Sequence, residues 1–325
     1  MVVHGDPEMD YGYKYKKERN EEVIMKEVSI KLPSGALGDN IAWFPYFEVF
    51  RKKHKVKVNA LVPHYKLFED TYPKINFLKP GTKLYNYVQL YPDQQTGIDF
   101  EKDEYKDWPL QKVATKSLGL RYREIKPKLN IPDEPSRIVG KYVTISTQAS
   151  MQCKYWNNLT GWDEVIEFLK SEGYNVVCID QYRCFGDTDM NFMNPIPTGV
   201  IDKTGGIDGE HFDLQDRMVD LKYADFHIGL PSGLSWLSWA VGTHVIMISG
   251  FSNPTSEFKT GLTKVEPTEK DICKWCWNSP KYKFPRPAEW WWCPEHRATK
   301  RQFECSRSIT GQHVIDTIKK HMYIQ

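Results

Sequence analysis

The sequence predicts an α/β protein with two Rossmann-like halves facing a cleft, followed by a cysteine-rich metal-binding subdomain. Three observations predict it. The stretch 228–250, IGLPSGLSWLSWAVGTHVIMISG, reads as strand end, tight turn, short helix and buried strand. A stretch near the N-terminus, VIMKEVSIKLPSGALGDNIAWFPYFEVF, follows the same order of strand, glycine turn and helix. Four cysteines, Cys273, Cys276, Cys293 and Cys305, lie in a proline-rich setting towards the C-terminus.

Composition narrows the class. With 325 residues there is room for two domains of about 150 each. Hydrophobic residues at 40% and charged residues at 26% describe a globular chain, not a disordered one. A net charge of +2 demands neither nucleic acid nor an anionic membrane. No apolar run reaches the roughly 18 residues of a membrane span. MVVHGDPEMDYGYKYKKERN has no apolar core, so it does not read as a secretory signal. A cytoplasmic location is expected, where seven cysteines read as free thiols and metal ligands rather than disulfides.

In chain order, residues 1–22 read as a polar arm and 23–135 as the N-terminal Rossmann-like acceptor domain. Residues 23–32 alternate towards a strand. Gly35, Ala36 and Gly38 then permit a close turn. From Asp39 the pattern is helical, with Ile41, Phe44, Phe47 and Phe50 on one face and Pro45 as a kink. The basic run 51–55 suits the helix C-terminus, and 56–62 is the next strand. Residues 64–135 show weak periodicity and read as irregular, acceptor-facing units. KLNIPDEPSRI, 128–138, has linker composition.

Residues 136–265 read as the C-terminal, donor-binding Rossmann-like domain. Its strands are expected at 142–146 and 175–179, with a helix at 162–172 stopped by Gly173. A further helix is expected at 212–223, with Asp213 as N-cap. In the 228–250 unit, Pro231 and Gly233 force the turn, Ser232 is the N-cap and Gly242 ends a helix at 234–241. Residues 245–248 are an apolar run suited to a parallel sheet covered on both faces. Residues 266–325 form the metal-binding segment and a closing helix. No repeat of fixed period is present. Two Rossmann-like halves around a cleft describe the GT-B architecture of glycosyltransferases.

Five sets of residues carry candidate chemistry. Asp39 stands where the first strand gives way to a helix, where a carboxylate can take a proton from an attacking hydroxyl; the competing reading is a helix cap. The loop STQASMQCKYWNNLTGW carries Gln148, Gln152, Lys154 and Asn157, and Lys154 suits a phosphate as a mobile point charge. The turn Ser232-Gly233-Leu234 opens a helix whose free N–H groups and dipole favour an anion. Asp180 and Gln181, at a strand end, complete the donor-side candidates. The spacing C-x2-C-x16-C-x11-C points to one tetrahedral metal, with zinc the general default and iron also accepting four thiolates. Asp187-Thr188-Asp189 matches a metal-holding DxD, a three-residue match expected by chance.

Together GALGDNIAWFP, STQASMQCKYWNNLTGW, GYNVVCID, LPSGLSWLSWAVGTHVIMISGFSNPTSEF, CKWCWN, WWWCPEH and RQFECSRSIT resemble the heptosyltransferases of glycosyltransferase family 9, most closely the bacterial autotransporter heptosyltransferases. The resemblance implies inverting transfer of heptose from an ADP-activated donor to serine hydroxyls of an adhesin. It implies a base at Asp39, phosphate contacts from Lys154 and Ser232-Gly233-Leu234, a structural iron on the four cysteines, and assembly into rings. Phage enzymes of similar appearance act on hydroxymethylated DNA, an acceptor that the basic arm (Lys14, Lys16, Lys17, Arg19) and the run 51–57 would suit. A third class is a metal-stapled module that binds nucleotide or nucleic acid without chemistry.

Overall fold

The computed structural model describes residues 26–85, 87–89, 104–189, 191–283 and 289–324. The basic arm lies outside them. The N-terminal half runs β1 (Glu27–Lys31), α1 (Leu37–Trp43), α2 (Pro45–His54), β2 (Lys57–Leu61), β3 (Ile75–Phe77), β4 (Val88–Gln89) and α3 (Leu110–Ser117). Its four strands form a parallel sheet in the order β3-β2-β1-β4. Pro45 divides the expected helix into α1 and α2, because its ring is compatible with the first turn of a helix and not with the interior of one. The Phe44 ring, fully buried, stacks on Phe68 at 4.1 Å and anchors this break in the core.

The C-terminal half contains β5 (Tyr142–Ile145), α4 (Gly161–Ser171), β6 (Asn175–Cys178), β7 (Cys184–Asp187), β8 (Phe192–Pro195), β9 (Ile201–Asp202), α5 (Leu214–Lys222), β10 (His227–Gly229), α6 (Gly233–Val241), β11 (Val245–Ile248), β12 (Leu262–Val265), α7 (Glu304–Arg307) and α8 (Gly311–Ile324). Six strands form a parallel sheet in the order β12-β11-β10-β5-β6-β9. Counted within this half, that is 6-5-4-1-2-3, the Rossmann order, with its reversal between β5 and β10. The β11 run is buried at all four positions, as a parallel strand covered on both faces requires. Asp213 caps α5 through its side chain, accepting from the Gln215 N–H at 2.9 Å. Helix α8 packs on α4 and β12.

Two glycines set the approach of the halves, where α1 packs against α6. A Cβ on Gly233 would stand 2.8 Å from Leu37 Cβ, and one on Gly38 would stand 3.1 Å from Trp236 Cδ1. A larger residue at Gly233 would force Leu37 to shift, and one at Gly38 would press on the Trp236 ring. One hydrophobic cluster accordingly runs from Ile30, Phe44 and Phe47 through Leu234 and Trp236 to Phe258. Between 266 and 303, the described residues carry one 3-10 turn, Cys276–Asn278, and no strand. A small aromatic cluster of Met151, Cys153, Phe251, Trp292 and Phe303 lies beneath that segment. Among the described residues no helix is long and apolar enough to cross a membrane.

Candidate functional site

The strands of both sheets point their carboxyl ends at one cleft of about 1390 Å³. Loops after β1, β2, β5, β6 and β10 line it, and of these strands β1, β5 and β10 flank the order reversals of the two sheets. Asp39, Gln148, Lys154, Asp180, Gln181, Ser232, Gly233 and Leu234 all lie on its wall.

Asp39 is not the helix cap. Ala36 holds the N-cap position of α1 and makes no side-chain cap. The backbone groups before the helix are met instead by Asn40, whose amide donates to the Ser34 and Ala36 carbonyls at 2.8 Å each. Asp39 sits in the first turn and its carboxylate accepts from the Ser34 hydroxyl at 2.5 Å. Loss of water pushes its pKa above the usual carboxylate value, against the Ser34 hydrogen bond and the positive charge of Lys154. The raised value leaves a stronger base once the proton is off.

Lys154 ends a short 3-10 turn, Gln152–Lys154, after β5. Its Nζ lies 3.5 Å from Ser150 Oγ and 5.6 Å from the Phe251 ring centre. Ser232 occupies the N-cap position of α6, yet its hydroxyl makes no capping bond and is buried without a partner. The Ser232 N–H is spent on the Leu230 carbonyl at 2.7 Å, but the first N–H groups of a helix have no intrahelical acceptor, so Gly233 and Leu234, with the Ser232 hydroxyl, present donors to the cleft.

The remaining donor-side candidates separate into roles. Asp180 is buried and spends its carboxylate on the loop after β5, accepting from Thr147 N–H (2.8 Å), Thr147 hydroxyl (2.8 Å), and Gln148 N–H (3.2 Å). Gln148 donates its amide to the Tyr182 carbonyl at 2.7 Å, and Gln181 to the Tyr182 hydroxyl at 3.1 Å. Asn157 is not on the cleft wall: its amide donates to the carbonyls of Gln152 and Tyr155 at 3.0 Å and to Ser306 Oγ at 2.8 Å, tying the loop to the cysteine-rich segment. Asp187 and Asp189 stand at the turn of the β7–β8 hairpin, away from the cleft wall.

Several cleft residues escaped the sequence reading. His64 follows β2, with Nε2 2.9 Å from the Gly35 carbonyl. Position just past a strand end was the signal that could have found it. Glu257 forms a buried ion pair with Lys264 at 2.9 Å and accepts from Ser252 Oγ at 2.7 Å. The basic run after Arg51 does not line the cleft; Arg51 and Lys52 pair with Glu48.

The four cysteines line one small cavity of about 20 Å³, with His296 and Glu304 beside them. Among the described residues, the ligand atoms of Cys273, His296 and Glu304 lie within 4.8 Å of one another there. Burial raises the thiol pKa of Cys273, Cys276 and Cys305, and neighbouring cysteines raise each further. Cys305 is buried and the other three cysteines are half-buried; a cation at this cavity would offset the cost of their thiolates.

No family model matches the chain. It is 39% identical over 312 residues to the autotransporter heptosyltransferase Aah of Escherichia coli, covering 93% of this chain and 76% of that protein. A relative in Burkholderia thailandensis, 32% identical over 308 residues (90% of this chain, 68% of that protein), is named an inactive autotransporter heptosyltransferase, BimC. Among solved structures, the iron-containing dodecameric glycosyltransferase TibC of enterotoxigenic E. coli superposes with a TM-score of 0.82 at 38% identity, over 93% of this chain and 78% of that one. A second TibC structure is a complex with ADP-D-β-D-heptose. A glycosyltransferase of family 9 from Veillonella parvula shares the fold, with a TM-score of 0.61 at 14% identity over 94% of this chain and all of that one.

Proposed function

The chain belongs to the autotransporter heptosyltransferase family of glycosyltransferases, and we propose that it moves heptose from an ADP-activated donor to a serine or threonine hydroxyl of a protein, with inversion. The observation that carries this reading is the meeting of Asp39, Lys154 and the α6 start in one cleft, across the α1–α6 contact. We read the architecture as GT-B, with 23–135 facing the acceptor and 136–265 holding the donor.

In this reading the donor diphosphate lies at Ser232-Gly233-Leu234, where helix N–H groups and the Ser232 hydroxyl bind its oxygens. Lys154 neutralises the charge that grows on the leaving diphosphate. Asp39 accepts the proton of the acceptor hydroxyl as its oxygen attacks the anomeric carbon on the face opposite the leaving group. Among the described residues on the cleft wall there are four carboxylates, Asp39, Asp180, Asp213 and Glu257. The last three are spent on the β5 loop, the α5 cap and Lys264. One available carboxylate supports a single displacement, which inverts the centre, over a double displacement that needs a nucleophile as well.

Cys273, Cys276, Cys293 and Cys305 would hold one structural metal, iron by kinship with TibC. A closed thiolate set supplies folding free energy to a segment with little core of its own and offers no position to substrate. The relatives favour a protein acceptor, and assembly into a ring like the TibC dodecamer belongs to the same reading.

The test is incubation with a panel of nucleotide sugars. ADP release from ADP-heptose, accelerated by a serine-bearing polypeptide, is expected. Absence of release with every donor would place the chain with its inactive relative or make it a binding module.

A further inference from the structure

One wall of the cleft, in the half assigned above to the acceptor, is held from the opposite half. Tyr105, Trp108 and Leu110 line the cleft on the segment leading into α3. Lys106 among them is only 2% exposed. Its Nζ donates to the Tyr282 carbonyl and, at 3.4 Å, to the Ser279 carbonyl, both in the cysteine-rich segment. Asn278, two residues after Cys276, reaches back. Its amide nitrogen donates to the Lys106 carbonyl and to Ser256 Oγ at 2.9 Å, and its oxygen accepts from the Asn253 N–H at 2.7 Å. The Leu110 N–H donates to the Ser256 carbonyl at 2.9 Å, while the Leu110 carbonyl accepts from Trp43 Nε1 at 2.8 Å. Trp43 is one helical turn from Asp39 on α1.

We infer that Lys106 and Asn278 are positioning residues for the acceptor: they set the Tyr105–Leu110 wall against the donor half and against α1, and so fix where an acceptor hydroxyl meets Asp39. The inference rests on the transfer reading above. A buried ammonium is a poor source of stability by itself, since an apolar side chain of similar volume often does as well. What Lys106 adds is direction, because its donors are aimed at particular carbonyls of another segment. Asn278 likewise joins three segments through one amide. Tyr105 and Trp108 form the stretch of cleft wall that an acceptor polypeptide would meet, with Lys112 and Lys116 over the Trp108 ring. A misplacement of about 1 Å in a reacting group can cost on the order of a hundredfold in rate. The proposed donor contacts at Lys154 and Ser232 involve neither Lys106 nor Asn278.

The test compares Lys106→Met and Asn278→Ala with the wild-type full chain in two assays: acceptor-independent hydrolysis of ADP-heptose, and transfer to a serine-bearing polypeptide. The expected result is an acceptor KM raised tenfold or more, with donor KM and hydrolysis within twofold of wild type. Lys106→Arg, which keeps charge and donors, should recover most of the loss. Parallel loss of hydrolysis and transfer would reduce the pair to structural glue, and unchanged transfer would overturn the inference outright. Should either variant fail to fold, Lys106→Gln and Asn278→Ser decide by the same split. A wild-type chain that shows no transfer refutes the transfer reading and this inference with it; a wild-type chain that transfers, with variants unaffected, refutes the inference alone.

Discussion

Replacing Asp39 by Asn separates chemistry from architecture. The amide keeps the size of the carboxyl, and its oxygen can still accept from the Ser34 hydroxyl. Removing the charge acts on stability in two opposed ways. A negative group in the first turn of α1 is favourable to the helix by about 0.3–1 kcal/mol. Against this, burial disfavours the ionised form, as the raised pKa records, and Asn lifts that penalty. The two effects nearly offset, so the unfolding free energy should stay within about 1 kcal/mol of wild type. Catalysis has no such offset. A positioned general base contributes about 10²–10⁴ in rate, or about 2.7–5.4 kcal/mol of barrier at 1.36 kcal/mol per tenfold. The assay is transfer kcat by chromatography of released ADP, beside calorimetric ADP affinity and thermal unfolding. Transfer should fall by a factor of a hundred or more with ADP affinity and Tm retained. Transfer within tenfold of wild type would refute the assignment of Asp39 as base.

Further outcomes follow from the same geometry. Because the Asp39 carboxyl is raised and must be ionised to act, kcat/KM for the acceptor should climb with pH along a limb displaced above the ordinary carboxylate range, a limb absent in Asp39→Asn. The same group adds stability at low pH that is lost as pH rises through its folded value, so a melting series should show this slope flattened in the variant. Gly233→Ala would drive a methyl to 2.8 Å from Leu37 Cβ; thermal unfolding should record a loss of about 1–3 kcal/mol, and donor affinity should fall as α1 and α6 part. Lys154→Met should raise donor KM tenfold or more, from about 1.5–3 kcal/mol for a charge-assisted contact, with acceptor KM little changed. Cys293→Ser should lower metal content by elemental analysis and Tm together; lost activity with metal and melting intact would make that site catalytic instead.

The elements most legible in the sequence are those whose signal is local. Pro45 announces the break between α1 and α2, and Gly242, with φ of 106°, ends α6 where expected. Asp213 caps the helix it precedes. The cleft wall was legible wherever a residue follows a strand: Asp39, Lys154, Asp180 and Ser232 all do. Asn40, not Asp39, serves the backbone before α1, which removes the competing reading of Asp39 as a cap. The misreading is Asn157, which turned inward to Ser306 instead of towards the cleft. Pairings between distant segments leave no periodic trace. Lys106 meets residues more than 170 positions away, and nothing near Lys106 in the chain foretells it.

The account stands most directly on the stereochemistry of the product. In the proposed reading, one available carboxylate among the described cleft residues, facing a diphosphate at the α6 start, supports a single displacement, so the new glycosidic bond is expected to have the configuration opposite to that of the donor. NMR of the anomeric proton after transfer from ADP-D-β-D-heptose to a serine-bearing polypeptide measures this. An α-linked heptose on a serine or threonine is the predicted result; a β-linked product would contradict the mechanism built on Asp39.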